Sequence, residues 1–171
     1  MDLTLNNNVV AFIGLANEYC NTLENCREME REDFVTSMLK MLPRLYIMAT
    51  DLKDNLIMDE QGYIADALDE DYYETVRQNA EALIGPDDVY LEVFEEDMKY
   101  SDTPVSASIS EGLADIFQVL YNFIATVRDD ATDDTVALAI ESVREDFRNY
   151  WSRTLCNTLR ALNAIAYGGN E

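Results

Sequence analysis

From Val136 to Ile165, apolar side chains return every three or four residues: Val136, Ile140, Val143, Phe147, Tyr150, Trp151, Leu155, Leu162 and Ile165. That period is one face of an α-helix. The helix it predicts starts near Asp133 or Asp134, runs to Tyr167 and stops at Gly168-Gly169. At ~1.5 Å per residue it would span about 50 Å, and a chain of 171 residues has to pack around such a spine.

Four more helices are predicted before it. Val9, Phe12, Ile13, Ala16, Cys20 and Leu23 predict a helix from about Asn7 to Cys26 with Asn6 as its cap. Phe34, Met38, Met41, Leu45, Met48 and Leu52 predict a second, capped by Asp33, with Pro43 kinking it from the solvent side. Asp69 opens a third, stopped by Gly85-Pro86. Ser108 and Glu111 form an S-x-x-E capping box for a fourth, reaching about Arg128. Asp54 to Glu70 has little pattern. Asp87 to Ala107 reads as a helical turn followed by a loop; Val89 to Phe94 has strand character, but the sequence offers it no partner. The reading is all-α: one domain over 1–171, an irregular bundle of four to five long helices plus an acidic irregular segment.

Charge narrows the function. Lys and Arg number 12 against 34 Asp and Glu, a net charge of −22. A surface of that sign repels phosphate backbones and anionic lipid, so neither nucleic acid nor membrane is an expected partner. The acids concentrate in residues 54–102, which hold 16 of them and two bases, Arg77 and Lys99. Tyr63, Tyr72, Tyr73, Tyr90, Phe94 and Tyr100 are interleaved there. Acid beside aromatic suits a basic protein or peptide, through charge and cation–π contact. The expected partner-binding residues are Tyr90, Phe94, Tyr100, Glu95, Glu96 and Asp97. Self-association into a homo-oligomer is a further expectation, and mimicry of nucleic acid toward a basic DNA-binding protein is a minor alternative.

The chain has no histidine. This removes Ser-His-Asp and Cys-His nucleophile systems, imidazole-based zinc sites and the Glu-x-x-His di-iron sites of helical bundles. Its six glycines form neither a dinucleotide fingerprint nor a phosphate-binding loop. No cofactor is expected. What remains for catalysis is a carboxylate-based Mg²⁺- or Mn²⁺-dependent hydrolase, for which Glu111 and Asp115, one turn apart, are the candidate ligands. Helical geometry turns Glu111, Asp115, Gln118 and Asn122 away from the apolar face, as a solvated stripe. Glu141 and Arg144 read as an intrahelical pair. Arg153 and Arg160 lie two turns apart on one edge of the last helix, placed to pair with acids of the middle segment. Cys20, Cys26 and Cys156 have no CxxC spacing and read as free thiols. With the first basic residue at Arg27 and no run of 18 apolar residues, the expected location is the cytoplasm.

Four stretches carry a family resemblance: LPRLYIMATDL (Leu42 to Leu52), DVYLEVFEED (Asp88 to Asp97), SISEGLADIFQVL (Ser108 to Leu120) and FRNYWSRTLCNTLRAL (Phe147 to Leu162). Together they resemble a bacterial all-helical family, domain of unknown function 5063, with Ser108 to Phe117 as the most specific run. The resemblance implies an intracellular bacterial protein and supplies no catalytic residues. Its pattern often places a histidine beside the tryptophan of the last helix; here Asn149, Tyr150 and Ser152 surround Trp151.

Overall fold

A computed structural model describes residues 6–53, 64, 66–92 and 105–168. Its helices are α1 (Asn7–Glu24), α2 (Arg31–Asp51), α3 (Glu70–Ile84), α4 (Ile109–Asp129), α5 (Asp133–Asp146) and α6 (Ser152–Tyr167). The chain stays helical between α5 and α6, through a wide π turn at Phe147–Trp151. The long stripe is thus one rod with a widened turn in it, and the architecture is the expected all-α bundle.

The caps explain most helix starts. The Asn6 side chain accepts the Val9 N–H at 3.0 Å, Asp69 accepts from Tyr72 at 2.7 Å, and Ser108 accepts from Glu111 at 3.2 Å. Each satisfies a donor that the first helical turn leaves free. Asp33 is not a cap: α2 begins two residues earlier, after Glu30, and Asp33 sits in its acidic first turn. There it favours the positive end of the helix dipole. The helix continues unbroken through Pro43.

Helix α4 is the centre. It packs against α1, α3, α5 and α6, while α2 closes the bundle against α1 and α6. Its buried residues Leu113, Ile116, Phe117, Leu120 and Phe123 cover a broad face. Phe12 of α1 meets Phe123 edge to face at 5.4 Å, and the Tyr19 hydroxyl donates to the Leu113 carbonyl at 2.7 Å. Gly112 lets α6 approach: a β-carbon there would lie 2.2 Å from the Thr158 hydroxyl oxygen.

One expectation of local structure fails. Val89–Leu91 (β1) pairs antiparallel with Ser106–Ser108 (β2), Val89 opposite Ser108 and Leu91 opposite Ser106. The strand does have a partner, Ser-Ala-Ser, which the sequence reading assigned to a loop. The hairpin is fixed to the start of α4 by Asp88, which is buried and accepts from both the N–H and the hydroxyl of Ser110 at 2.7 Å. Upstream, α3 ends at Gly85, whose φ of 76° lies where side-chain-bearing residues are strained. Arg31 of α2 holds this corner, donating to the Ile84 carbonyl at 2.9 Å and to Asp87 at 2.6 Å.

Candidate functional site

The polar stripe of α4 is not uniformly wet. Glu111 is exposed, with its N–H given to the cap. Asp115 accepts the Tyr73 hydroxyl of α3 at 2.5 Å. Asn122 is buried, which corrects its placement in a solvated stripe. Its side-chain oxygen accepts the N–H groups of Ala67 and Leu68 at 3.0 and 2.9 Å. An amide can serve two backbone donors with one oxygen, so Asn122 fastens the approach to α3 alongside α4.

The opposite wall comes from the π turn. Phe147 and Trp151 both point inward there, ring centroids 4.6 Å apart, and Tyr46 of α2 stacks edge-on against Phe147 at 5.1 Å. The Trp151 indole N–H donates to the Val143 carbonyl at 3.2 Å. Five residues in one turn leave Tyr150 pointing outward, 67% exposed. Such widened turns often mark functional positions.

Between these walls lies a cleft of about 600 Å³. Ile64 and Asp66 line it from the segment before α3, Asp115, Gln118 and Asn122 from α4, and Ser142 and Asp146 from α5. Tyr150, Trp151, Arg153 and Thr154 close it from the π turn and α6. The volume and the mixture of aromatic and convergent polar groups are those of a small-ligand site.

Its electrostatics are strained. Asp115 is exposed on one side, but the cleft walls strip water from its carboxyl and raise its pKa; the Tyr73 hydrogen bond opposes the rise and Glu111 adds to it. Burial also raises the Asp146 carboxyl, with Glu145 contributing. The Tyr73 hydroxyl is pushed up in turn, first by burial and then by its bond to Asp115. Arg153 makes no ion pair with any described residue. Three carboxylates therefore share a cleft with one arginine that pairs with none of them. Among the described residues, no three carboxylate or thiol groups stand close enough together to hold a metal ion. Of the candidate pair Glu111 and Asp115, only Asp115 lines the cleft, and one of its oxygens is bonded to Tyr73.

The other predicted residues sit elsewhere. Tyr90 is half-buried, its ring 5.6 Å from the Arg160 guanidinium and its hydroxyl donating to buried Glu92 at 3.2 Å. Arg160 also donates to the Leu91 carbonyl at 2.8 Å. It thus docks the middle segment as expected, but on a ring and a carbonyl instead of an acid. Phe94, Glu95, Glu96, Asp97 and Tyr100 lie outside the described residues. The expected Glu141–Arg144 pair is present at 3.1 Å. Asp66, Asp146, Tyr150 and Arg153 were not predicted as a group. One signal could have found them: Val143, Phe147, Trp151 and Leu155 follow one another at three successive steps of four. An α-helical stripe drifts sideways over such a run, and an added residue in the turn corrects the drift.

A family model described as "Domain of unknown function (DUF5063)" matches residues 4–168. The crystal structure of protein BF1032 from Bacteroides fragilis is similar over 96% of each chain, with a TM-score of 0.80 and 31% identity. No curated protein matches the chain. No described helix is long and apolar enough to cross a membrane.

Proposed function

The chain belongs to the DUF5063 family, and from its own geometry we propose that it is a non-enzymatic binding module for a basic protein or peptide. The acidic middle segment, residues 54–102, meets the partner where its residues Ile64 and Asp66 join Asp115 and Asp146 in lining the cleft. The observation that supports this is the uncompensated acidity there. Asp115 and Asp146 both have their carboxyl pKa raised from the ordinary value, by lost hydration and by like-charged neighbours. A cation entering the cleft relieves both strains, and exposed Tyr150 offers it aromatic surface.

Trp151 is the sole tryptophan and lines the cleft, so its fluorescence reports occupancy directly. A lysine- and arginine-rich peptide should change that fluorescence saturably. Its affinity should fall steeply between low salt and about 0.15 M, where the screening length is about 8 Å. A salt-insensitive complex, or no complex at low salt, would overturn the reading. The hydrolase alternative makes a separate demand: millimolar Mg²⁺ or Mn²⁺ must raise the melting temperature, and Asp115→Asn must abolish the rise.

A further inference from the structure

Arg153 is out of place in a cleft that serves only to receive a cation. It stands in the first turn of α6, lines the same cavity as Asp66, Asp115 and Asp146, and is exposed. No described residue forms an ion pair with it. The positive and negative groups of the cleft are therefore held apart. A purely cationic ligand would meet repulsion at Arg153. A purely anionic one would meet it at three aspartates and at the whole surface.

We propose that the cleft takes a ligand carrying a carboxylate and a cationic side chain together, the chemistry of a free basic amino acid or of a C-terminal lysine or arginine on a peptide. Arg153 receives the carboxylate, through the two-pronged geometry a guanidinium offers. Asp115 and Asp146 receive the cation, and the exposed ring of Tyr150 flanks its alkyl stem. This assignment rests on the binding reading above and sharpens it by naming the end of the partner that enters. At about 600 Å³ the cleft has room for more than one residue, as a chain end needs.

The test compares N-acetyl-Gly-Gly-Arg with a free carboxylate against the same peptide ended by an amide, followed by Trp151 fluorescence. Long-range attraction to a chain of net charge −22 favours the amide, which bears the larger positive charge. A tighter complex with the carboxylate form therefore reports a specific carboxylate site. The expected result is at least a tenfold preference for the carboxylate form, lost or reversed in favour of the amide in Arg153→Gln. That variant's melting temperature should match the parent's, since the side chain is exposed. Free arginine as a third probe separates the two sources: equal affinity assigns the site to the amino acid, weaker affinity to the peptide end. Equal binding of the two peptides by the parent protein, or a preference that survives Arg153→Gln, overturns this inference and leaves the basic-partner reading standing. Absence of binding by either peptide at low salt overturns both.

Discussion

Gly112 and Thr158 bring α4 and α6 tightly together: the Thr158 hydroxyl oxygen stands 2.2 Å from where a β-carbon on Gly112 would be. Thr158 is fully buried, so it has little freedom to retreat. Gly112→Ala should destabilise the protein by about 1–3 kcal/mol, as overpacked cores do, despite the ~1 kcal/mol that alanine gains over glycine inside a helix. Adding Thr158→Ala should recover much of the loss. Urea denaturation of the two single variants and the double variant measures the coupling, which is expected to exceed about 0.5 kcal/mol.

Asn122 holds the approach to α3 through two backbone N–H groups. Asn122→Ala leaves the Leu68 N–H buried without its acceptor and should lower stability by about 1–3 kcal/mol. Ile64 and Asp66, both close in sequence to the released strands of chain, line the cleft, so binding of the basic peptide should weaken as well. Asn122→Asp keeps the acceptor but turns an oxygen in place of the amide N–H toward Asp66, so in the same denaturation experiment it should retain more stability than Asn122→Ala only in acid, where the carboxyl is protonated.

Asp115 and Asp146 have folded-state pKa values raised above the ordinary 3.8. A raised carboxyl disfavours the folded state once it ionises; the penalty is absent below the ordinary value and complete above the raised one. Asp146→Asn should therefore raise the melting temperature near neutral pH and have no effect in acid below the carboxylate range. Asp115→Asn should behave in the same direction, and its amide oxygen can still accept from Tyr73. Thermal melts across that pH interval give the result. A stabilisation that grows as pH falls would contradict the assignment.

The π turn places Tyr150 at the cleft while keeping Phe147 and Trp151 in the core. Removing exposed Asn149 from it should restore an ordinary helical turn. The expected protein is folded and as helical as its parent by circular dichroism, and no longer responds to the basic peptide. Loss of cooperative unfolding would show instead that the widened turn is required for packing.

The helices were legible because burial of one face imposes a period that survives in a single sequence; Phe34 to Leu52 and Val136 to Ile165 are read that way without tertiary knowledge. The hairpin was not, since its second strand is Ser-Ala-Ser, with no β-branched or aromatic residue, and its pairing partner lies 15 or more residues away. The role of Asn122 was hidden for a related reason. A helical wheel places it opposite the apolar face, and only the chain folded against that side makes the position an interior one. The cleft combines both difficulties. Its acids were each visible, but the turn that gathers them depends on a register adjustment whose trace is three steps of four.

Arg31 and Arg160 each reach across more than 50 residues of sequence and end on a backbone carbonyl, Ile84 in one case and Leu91 in the other. Apart from Arg31 and Asp87, the described ion pairs lie within single helices. Among the described residues the bundle is thus held between elements by packing and hydrogen bonds far more than by ion pairs, and its crowded acids go on repelling one another. Dissolved ions shield that repulsion while leaving the packing and the buried hydrogen bonds intact. Raising ionic strength should make this fold harder to melt, the reverse of a protein stitched together by charge pairs.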